Sequence, residues 1–217
     1  MCSVVGFTSP HVTSRDLDIL EKVMIESRIR GMHASGAAWY SQGFISSIVK
    51  PIPIDQLVKL PGLQRIMALS IGRDLTMIAH ARYSTSDIRY NQPLVGDHLA
   101  IAHNGVISQA DPKLWKKMYG YTCKTKNDSE LLLRAMEAGD NPEQVFPGAS
   151  IAMVALDDQG HLTAYRNGLR PLWRGKIGQG VVYGSTFSIL HRAGVFDIEK
   201  VDCDTHDSQR RDWTRWI

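Results

Sequence analysis

The chain opens straight into a strand. Cys2-Ser3-Val4-Val5-Gly6-Phe7 is a β-branched and apolar run closed by Thr8-Ser9-Pro10, so a buried strand beginning at Cys2 is the first element of the fold. The pattern then changes to Leu17, Ile19, Leu20, Val23, Met24 and Ile25, a helical stripe with Ser14 as its N-cap and Gly31 beyond its end. Residues 36–40 and 44–49 flank Ser41-Gln42-Gly43 as a hairpin, and Pro51 and Pro53 stop the sheet. A weaker amphipathic stretch over 55–70 is broken at Pro61-Gly62.

Residues 75–83 and 98–103 read as two further strands joined by a polar loop through Thr85, Asn91, Gln92 and Pro93. A helix over 127–139 has Asn127 and Glu130 as an N-cap and N3 pair and Gly139 as its stop. Strands follow at 150–156, 161–166 and 180–184, then a helix over 186–192 and a last strand near 198–203; residues 175–180 read as a hairpin. No repeat, low-complexity segment or dividing linker interrupts this order, so residues 1–217 are expected to form a single α+β domain. Helices outside two sheets packed face to face would use the inventory economically, although periodicity alone does not separate that from other α+β layouts.

Composition removes several classes. With 25 Lys+Arg against 22 Asp+Glu and 43% hydrophobic residues, the chain is neither disordered, collagen-like nor a coiled coil. So small a charge surplus names no partner, and nucleic acid is not expected. Arg210-Arg211-Asp212-Trp213-Thr214-Arg215-Trp216 reads instead as an exposed tail. The three cysteines form no C-x-x-C pair, which argues against disulfides and zinc and for a reducing cytoplasm. Cys123 and Cys203 read as buried small hydrophobes. The start lacks a signal peptide, and no apolar run approaches membrane length. The histidines show no metal-ligand spacing; His80, His98 and His103 read as satisfied structural side chains, and neither metal nor cofactor is expected.

Cys2 carries more than a strand start. Once Met1 is removed, its thiol lies two bonds from a free α-amine of pKa about 7.7–8.0, so one residue supplies nucleophile and base; a small residue merely tolerated after the initiator is the plain alternative. In Ala102-His103-Asn104-Gly105, Asn-Gly is a strong hairpin signal. The same pair can also present a side-chain amide and a backbone N–H to one oxyanion. Arg82 leaves a strand into a polar loop, as an ordinary ion pair or as a clamp for a small carboxylate. Asp128 at a helix start serves the helix dipole or a substrate ammonium. Together these parts describe a pocket for an α-amino acid with an acyl-transfer centre at its far end, for which glutamine is the obvious amide.

The motifs MCSVVGF, RGMHASG, HARYST, NQP, AHNG, NDSE and NGLRPL stand in the order and near the spacing of a known family. The chain resembles the class II glutamine amidotransferases with an N-terminal nucleophile, in particular the glutaminase domains of amidophosphoribosyltransferase and glucosamine-6-phosphate synthase. The resemblance implies a four-layer αββα sandwich of two antiparallel sheets. It implies Cys2 as nucleophile, Asn104 and Gly105 as oxyanion hole, Arg82 on the glutamine carboxylate and Asp128 on its amine, with Tyr83, Thr85 and Arg30 shaping or bordering the pocket. The expected activity is hydrolysis of L-glutamine to glutamate and ammonia through a Cys2 thioester. No synthase domain follows, so a separate synthase or acceptor protein is the expected partner. Two alternatives stand beside it: an N-terminal-nucleophile amidase for another acyl amide, and a non-catalytic glutamine-sensing subunit. Three positions depart from the family: Ser3 replaces a glycine, which would restrict the backbone if φ were positive there, and His33 and Asn167 each replace an aspartate.

Overall fold

The computed structural model describes residues 2–83 and 90–203 and the backbone of Asp207 and Ser208. The first half runs β1 (Ser3–Ser9), α1 (Ser14–Glu26), a 3-10 turn (Ser27–Arg30), β2 (Ala34–Ser41), β3 (Phe44–Lys50), α2 (Ile54–Leu57), α3 (Pro61–Leu69) and β4 (Leu75–Arg82). Then come β5 (Leu94–Val95), β6 (Leu99–His103), a 3-10 turn (Pro112–Leu114), α4 (Trp115–Tyr119), α5 (Ser129–Glu137) and α6 (Pro142–Val145). The remainder is β7 (Ala152–Asp157), β8 (Leu162–Arg166), β9 (Trp173–Ile177), β10 (Gly180–Gly184), α7 (Phe187–Ala193), β11 (Phe196–Lys200) and β12 (Asp207–Ser208).

The strands form two antiparallel sheets, a seven-stranded one in the order β11-β9-β10-β1-β4-β2-β3 and a five-stranded one in the order β12-β8-β7-β6-β5. Strand periodicity shows how they stack. In β1, Val5 and Phe7 point to one side, into a core with Leu20 and Met24 of α1, Leu63 of α3 and Leu190 of α7. Val4 points to the other side and meets Ile78 of β4 and Ala102 and Val154 of the second sheet. Beyond that sheet lies a third core, where Leu131, Leu132 and Leu133 of α5 pack with Trp115, Phe146 and Ile101. Helix, sheet, sheet and helix thus form the expected αββα sandwich. In α5 the leucines at 131–133 spread apolar surface around most of the helix, while Glu130, Arg134 and Glu137 pair along one polar stripe; each fully buried leucine contributes about 1.5–3 kcal/mol.

Local chemistry explains the boundaries. The β2–β3 hairpin turns at Gln42 (φ 53°) and Gly43 (φ 85°), the pair of positive φ values that a two-residue turn between twisted strands requires. The N-cap of α1 is Thr13, one residue before the expected Ser14. Its hydroxyl accepts from the Asp16 N–H at 3.2 Å while the Asp16 carboxylate accepts from the Thr13 N–H at 2.8 Å, a reciprocal pair that Ser14 has no matching carboxylate to form. At α5 the expected pairing of Asn127 with Glu130 is not made. Asn127 accepts from the Ser129 N–H at 3.1 Å, but the Glu130 carboxylate accepts from the Lys124 and Thr125 N–H groups at 2.7 and 2.6 Å and from Arg134. Beside a guanidinium it remains ionised, and those contacts hold its pKa below the usual carboxylate range despite burial.

β1 lies at the centre of the larger sheet, between β10 and β4, in a register that pairs Ser3 with Ala81. Cys2 therefore sits at the end of the sheet where Arg82 leaves it. Among the described residues no helix is long and apolar enough to cross a membrane.

Candidate active site

At this end of the sandwich a cavity of about 360 Å³ opens between the sheets, with Cys2, Arg82, Tyr83, Gly105 and Asp128 in its wall. Cys2 is half-buried, and its Sγ lies 4.0 Å from the Tyr83 carbonyl oxygen. Arg30, at the end of the turn after α1, donates from Nε to the Cys2 carbonyl at 3.0 Å. Burial pulls the Arg30 pKa below its ordinary value, with Cys2 opposing and Arg170 adding to that shift. Arg82 is buried at 8% exposure; its Nη1 donates to the Tyr90 carbonyl at 2.6 Å and to Asn91 Oδ1 at 2.7 Å. The loop after β4 thus fixes the guanidinium. Tyr83 is partly exposed and packs its ring against His33, with centroids 4.7 Å apart. Thr85 lies outside the described residues.

Asn104 and Gly105 follow β6, but not as a hairpin turn. The ladder to the next strand continues through them: the Asn104 N–H donates to the Ala152 carbonyl at 2.8 Å, and the Val106 N–H to the Ser150 carbonyl at 3.1 Å. Glycine is required at 105 by close approach, since a Cβ there would stand 1.7 Å from the Ser150 carbonyl oxygen. The Asn104 Nδ2 is buried without a hydrogen-bond partner, and among the described residues the Gly105 N–H makes no hydrogen bond. A buried unpaired donor costs about 1–3 kcal/mol. An unpaired side-chain amide and an unpaired backbone N–H on consecutive residues, the second in the wall of the cavity that holds the Cys2 thiol, are what an oxyanion site needs.

Asp128, just before α5, uses one oxygen structurally. Its Oδ2 accepts from the Ile107 N–H at 2.7 Å and the Ser108 N–H at 3.4 Å, tying the segment after Gly105 to the helix start. The Oδ1 accepts no hydrogen bond from the described residues, which leaves a carboxylate oxygen on the cavity wall for a cation.

Several expectations are corrected. His98 is not one of them: 72% exposed at its side chain, it pairs with Asp158 at 2.8 Å and is satisfied as expected. His80 is fully buried with neither ring nitrogen in a hydrogen bond, so it is not satisfied. Burial first, then Arg82 and His103, push its pKa down to about 3. Cys203 is exposed, with Arg166 Nη2 at 2.7 Å from its sulfur, and Cys123 is half-buried, its thiol pushed up to about 11 mainly by burial. Two of the family departures sit in ordinary local geometry. Ser3 is extended and paired with Ala81, and the only described non-glycine residues with positive φ are Gln42 and Asp197. Asn167 accepts from the Ile151 N–H at 2.9 Å and donates to the Ala149 carbonyl at 2.7 Å, and an aspartate at that position could not make the second contact.

The structure also brings in residues to which sequence reasoning gave no role: Gln92, Ser129, Ser150 and Arg170, whose Nε lies 3.5 Å from the Ser150 hydroxyl. All except Ser150 stand inside the motifs quoted above, and that was their one signal.

Among known families, the glutamine amidotransferase domain matches residues 80–192. No curated protein matches by sequence. Among solved structures, the chain is similar to glutamine phosphoribosylpyrophosphate amidotransferase from B. subtilis, complexed with ADP and GMP, with a TM-score of 0.69 and 20% identity over 96% of this chain and 49% of that one. The allosteric regulatory enzyme of purine biosynthesis is similar to the same degree, with a TM-score of 0.69 and 19% identity over 96% of this chain and 49% of that one. The chain spans about half the length of both, and at this identity the likeness is one of fold.

Proposed function

The chain belongs to the glutamine amidotransferase domain family, enzymes that act on glutamine, and we propose that it hydrolyses L-glutamine to glutamate and ammonia through a thioester on Cys2. The observation that carries this reading is the Cys2 thiol sharing one cavity with the Gly105 N–H, which makes no hydrogen bond among the described residues, next to Asn104, whose Nδ2 is buried without a partner. With Met1 removed, the α-amine takes the thiol proton as Sγ attacks the γ-carbonyl carbon. Asn104 and Gly105 hold the oxyanion, the C–N bond breaks, and the amine's proton leaves with ammonia. Water then attacks the thioester, releasing glutamate and restoring the thiol. Arg82 holds the α-carboxylate and the Asp128 Oδ1 the α-ammonium, while Tyr83 and Arg30 border the pocket. Ammonia passes to a separate acceptor enzyme.

The test is release of glutamate and ammonia from glutamine by purified protein whose loss of Met1 has been verified by mass. Cys2→Ala abolishes turnover; full activity in that variant would sink the proposal. A substrate panel separates an amidase of other specificity, because clamps at Arg82 and Asp128 make turnover depend on both the α-carboxylate and the α-amine. Glutamine binding without turnover by the mature protein would favour a sensing subunit instead.

A further inference from the structure

In the wall of the Cys2 cavity, next to Gly105, runs a hydrogen-bond relay of low-exposure side chains whose every direction is fixed. The Gln92 Oε1 accepts from the His103 backbone N–H at 2.7 Å, which orients the amide and turns its Nε2 toward the Ser129 hydroxyl at 3.1 Å. Receiving that bond, the hydroxyl donates its own proton to His103 Nδ1 at 2.9 Å. His103 Nε2 faces the Ser150 carbonyl at 3.1 Å and so carries the ring proton. Backbone groups thus close both ends, and the ring is held neutral in one tautomer. Burial favours the same state, lowering the His103 pKa. Gln92, Ser129 and His103 are each 5% exposed or less.

The relay ends on the atoms that confine Gly105. A Cβ on Gly105 would meet the Ser150 carbonyl oxygen at 1.7 Å and His103 Nε2 at 2.6 Å, so the backbone of the oxyanion loop lies directly against both. The Val106 N–H donates to the Ser150 carbonyl and, at 3.0 Å, to its hydroxyl. Three loops, those before β5, after β6 and before α5, are thereby locked together.

We propose that Gln92, Ser129 and neutral His103 are positioning residues that set where the Asn104 and Gly105 donors point, acting on the transition state rather than on glutamine binding. The inference rests on the proposed glutaminase reaction. None of the three needs to touch substrate for this; a shift of a fraction of an ångström in the donors is enough to weaken oxyanion stabilisation.

Ser129→Ala removes the central hydroxyl, and Gln92→Met removes both amide contacts while keeping volume. Loss of an oxyanion donor costs about 10²–10³ in kcat, so misplacing donors lowers kcat by about 10–100-fold, with KM for glutamine within about threefold. Ser129→Thr, which keeps the hydroxyl, restores most of the rate. Because one relay is broken either way, the double variant is no slower than the worse single variant. Unchanged kcat, KM rising in proportion, or multiplying losses in the double variant would each overturn the proposal. A readout that needs no turnover is amide hydrogen exchange, with circular dichroism confirming that each variant is folded. Exchange over residues 104–107 speeds up by about tenfold in Ser129→Ala, the equivalent of one lost hydrogen bond, and reverts in Ser129→Thr. Unchanged exchange there rejects the relay. A mature wild-type protein that releases no ammonia would reject the glutaminase reading instead, and the exchange result still decides the relay.

Discussion

The sandwich has an opening between its sheets at each end, and the larger one lacks the features of a site. The far cavity, about 480 Å³, is bordered by Thr8, Asp74, Thr76, Gln159, His161 and Gln179. Some of its polar groups are paired with one another or with neighbours: the Thr8 and Thr76 hydroxyls at 3.0 Å, and His161 with Asp157 at 2.9 Å. None of its lining residues has a buried side-chain nitrogen or oxygen without a partner. The opening beside Cys2 is smaller, near 360 Å³, yet there a nucleophile shares the wall with the Gly105 N–H, which makes no hydrogen bond among the described residues, and with a guanidinium fixed by its own loop. The next residue to Gly105, Asn104, has a buried unpaired amide nitrogen. The difference teaches that uncommitted, immobilised polar atoms identify a reactive site better than volume does.

Mutations at the two ends sharpen this contrast. Asn104→Ala should lower kcat for glutamine by about 10²–10³-fold with little change in KM, while Thr76→Ala at the far end leaves both constants unchanged; ammonia-release kinetics on the pair decide it. Equal losses at both ends would break the comparison. Arg82→Lys comes next. It keeps charge but loses the planar guanidinium whose Nη1 reaches both the Tyr90 carbonyl and Asn91, and KM for glutamine should rise about 10–100-fold with a smaller fall in kcat. A kcat loss at unchanged KM would show that Arg82 does not hold the substrate.

Acid separates the ends in stability. His80 has a folded pKa of about 3 against an ordinary 6.5, so between those values the unfolded chain takes up a proton that the folded one refuses. Its contribution is fully present above about pH 6.5 and falls by about 1.4 kcal/mol per pH unit below that. His103, also lowered, steepens the loss. Urea unfolding at pH 7, 5.5 and 4.5 should show His80→Leu losing less stability with acid than the wild type. Parallel curves would remove the buried histidine from the account. The smallest effect is at Ser3, whose buried hydroxyl has no partner; Ser3→Ala should raise stability by about 1 kcal/mol at unchanged turnover, read from the same denaturation curves and rate assay.

Much of this was legible in the chain, because it is local. Strand starts, the Gln42-Gly43 turn, the break at Pro61 and the stop at Gly139 follow from residue chemistry within a few positions. Tight spacing also put Arg82 at a strand end and Asn104-Gly105 after another. The misreadings were questions of partner. Glu130 matches a capping pattern, but nearby amides and Arg134 bind it more strongly than the cap would. Cys203 fits a core residue by type and lies exposed beside Arg166.

The sequence by itself determined a layered α+β domain, the motif order of an amidotransferase, and the candidate residues Cys2, Arg82, Asn104, Gly105 and Asp128. Only the tertiary structure decided what each atom does. It turned one Asp128 oxygen to Ile107, left Asn104 Nδ2 unpaired, and joined Gln92, Ser129 and His103 into a relay ending on Ser150. Periodicity and turn chemistry act between neighbours along the chain. These bonds instead join groups 21 to 47 residues apart, and their directions are set only when both sheets and the start of α5 are in place.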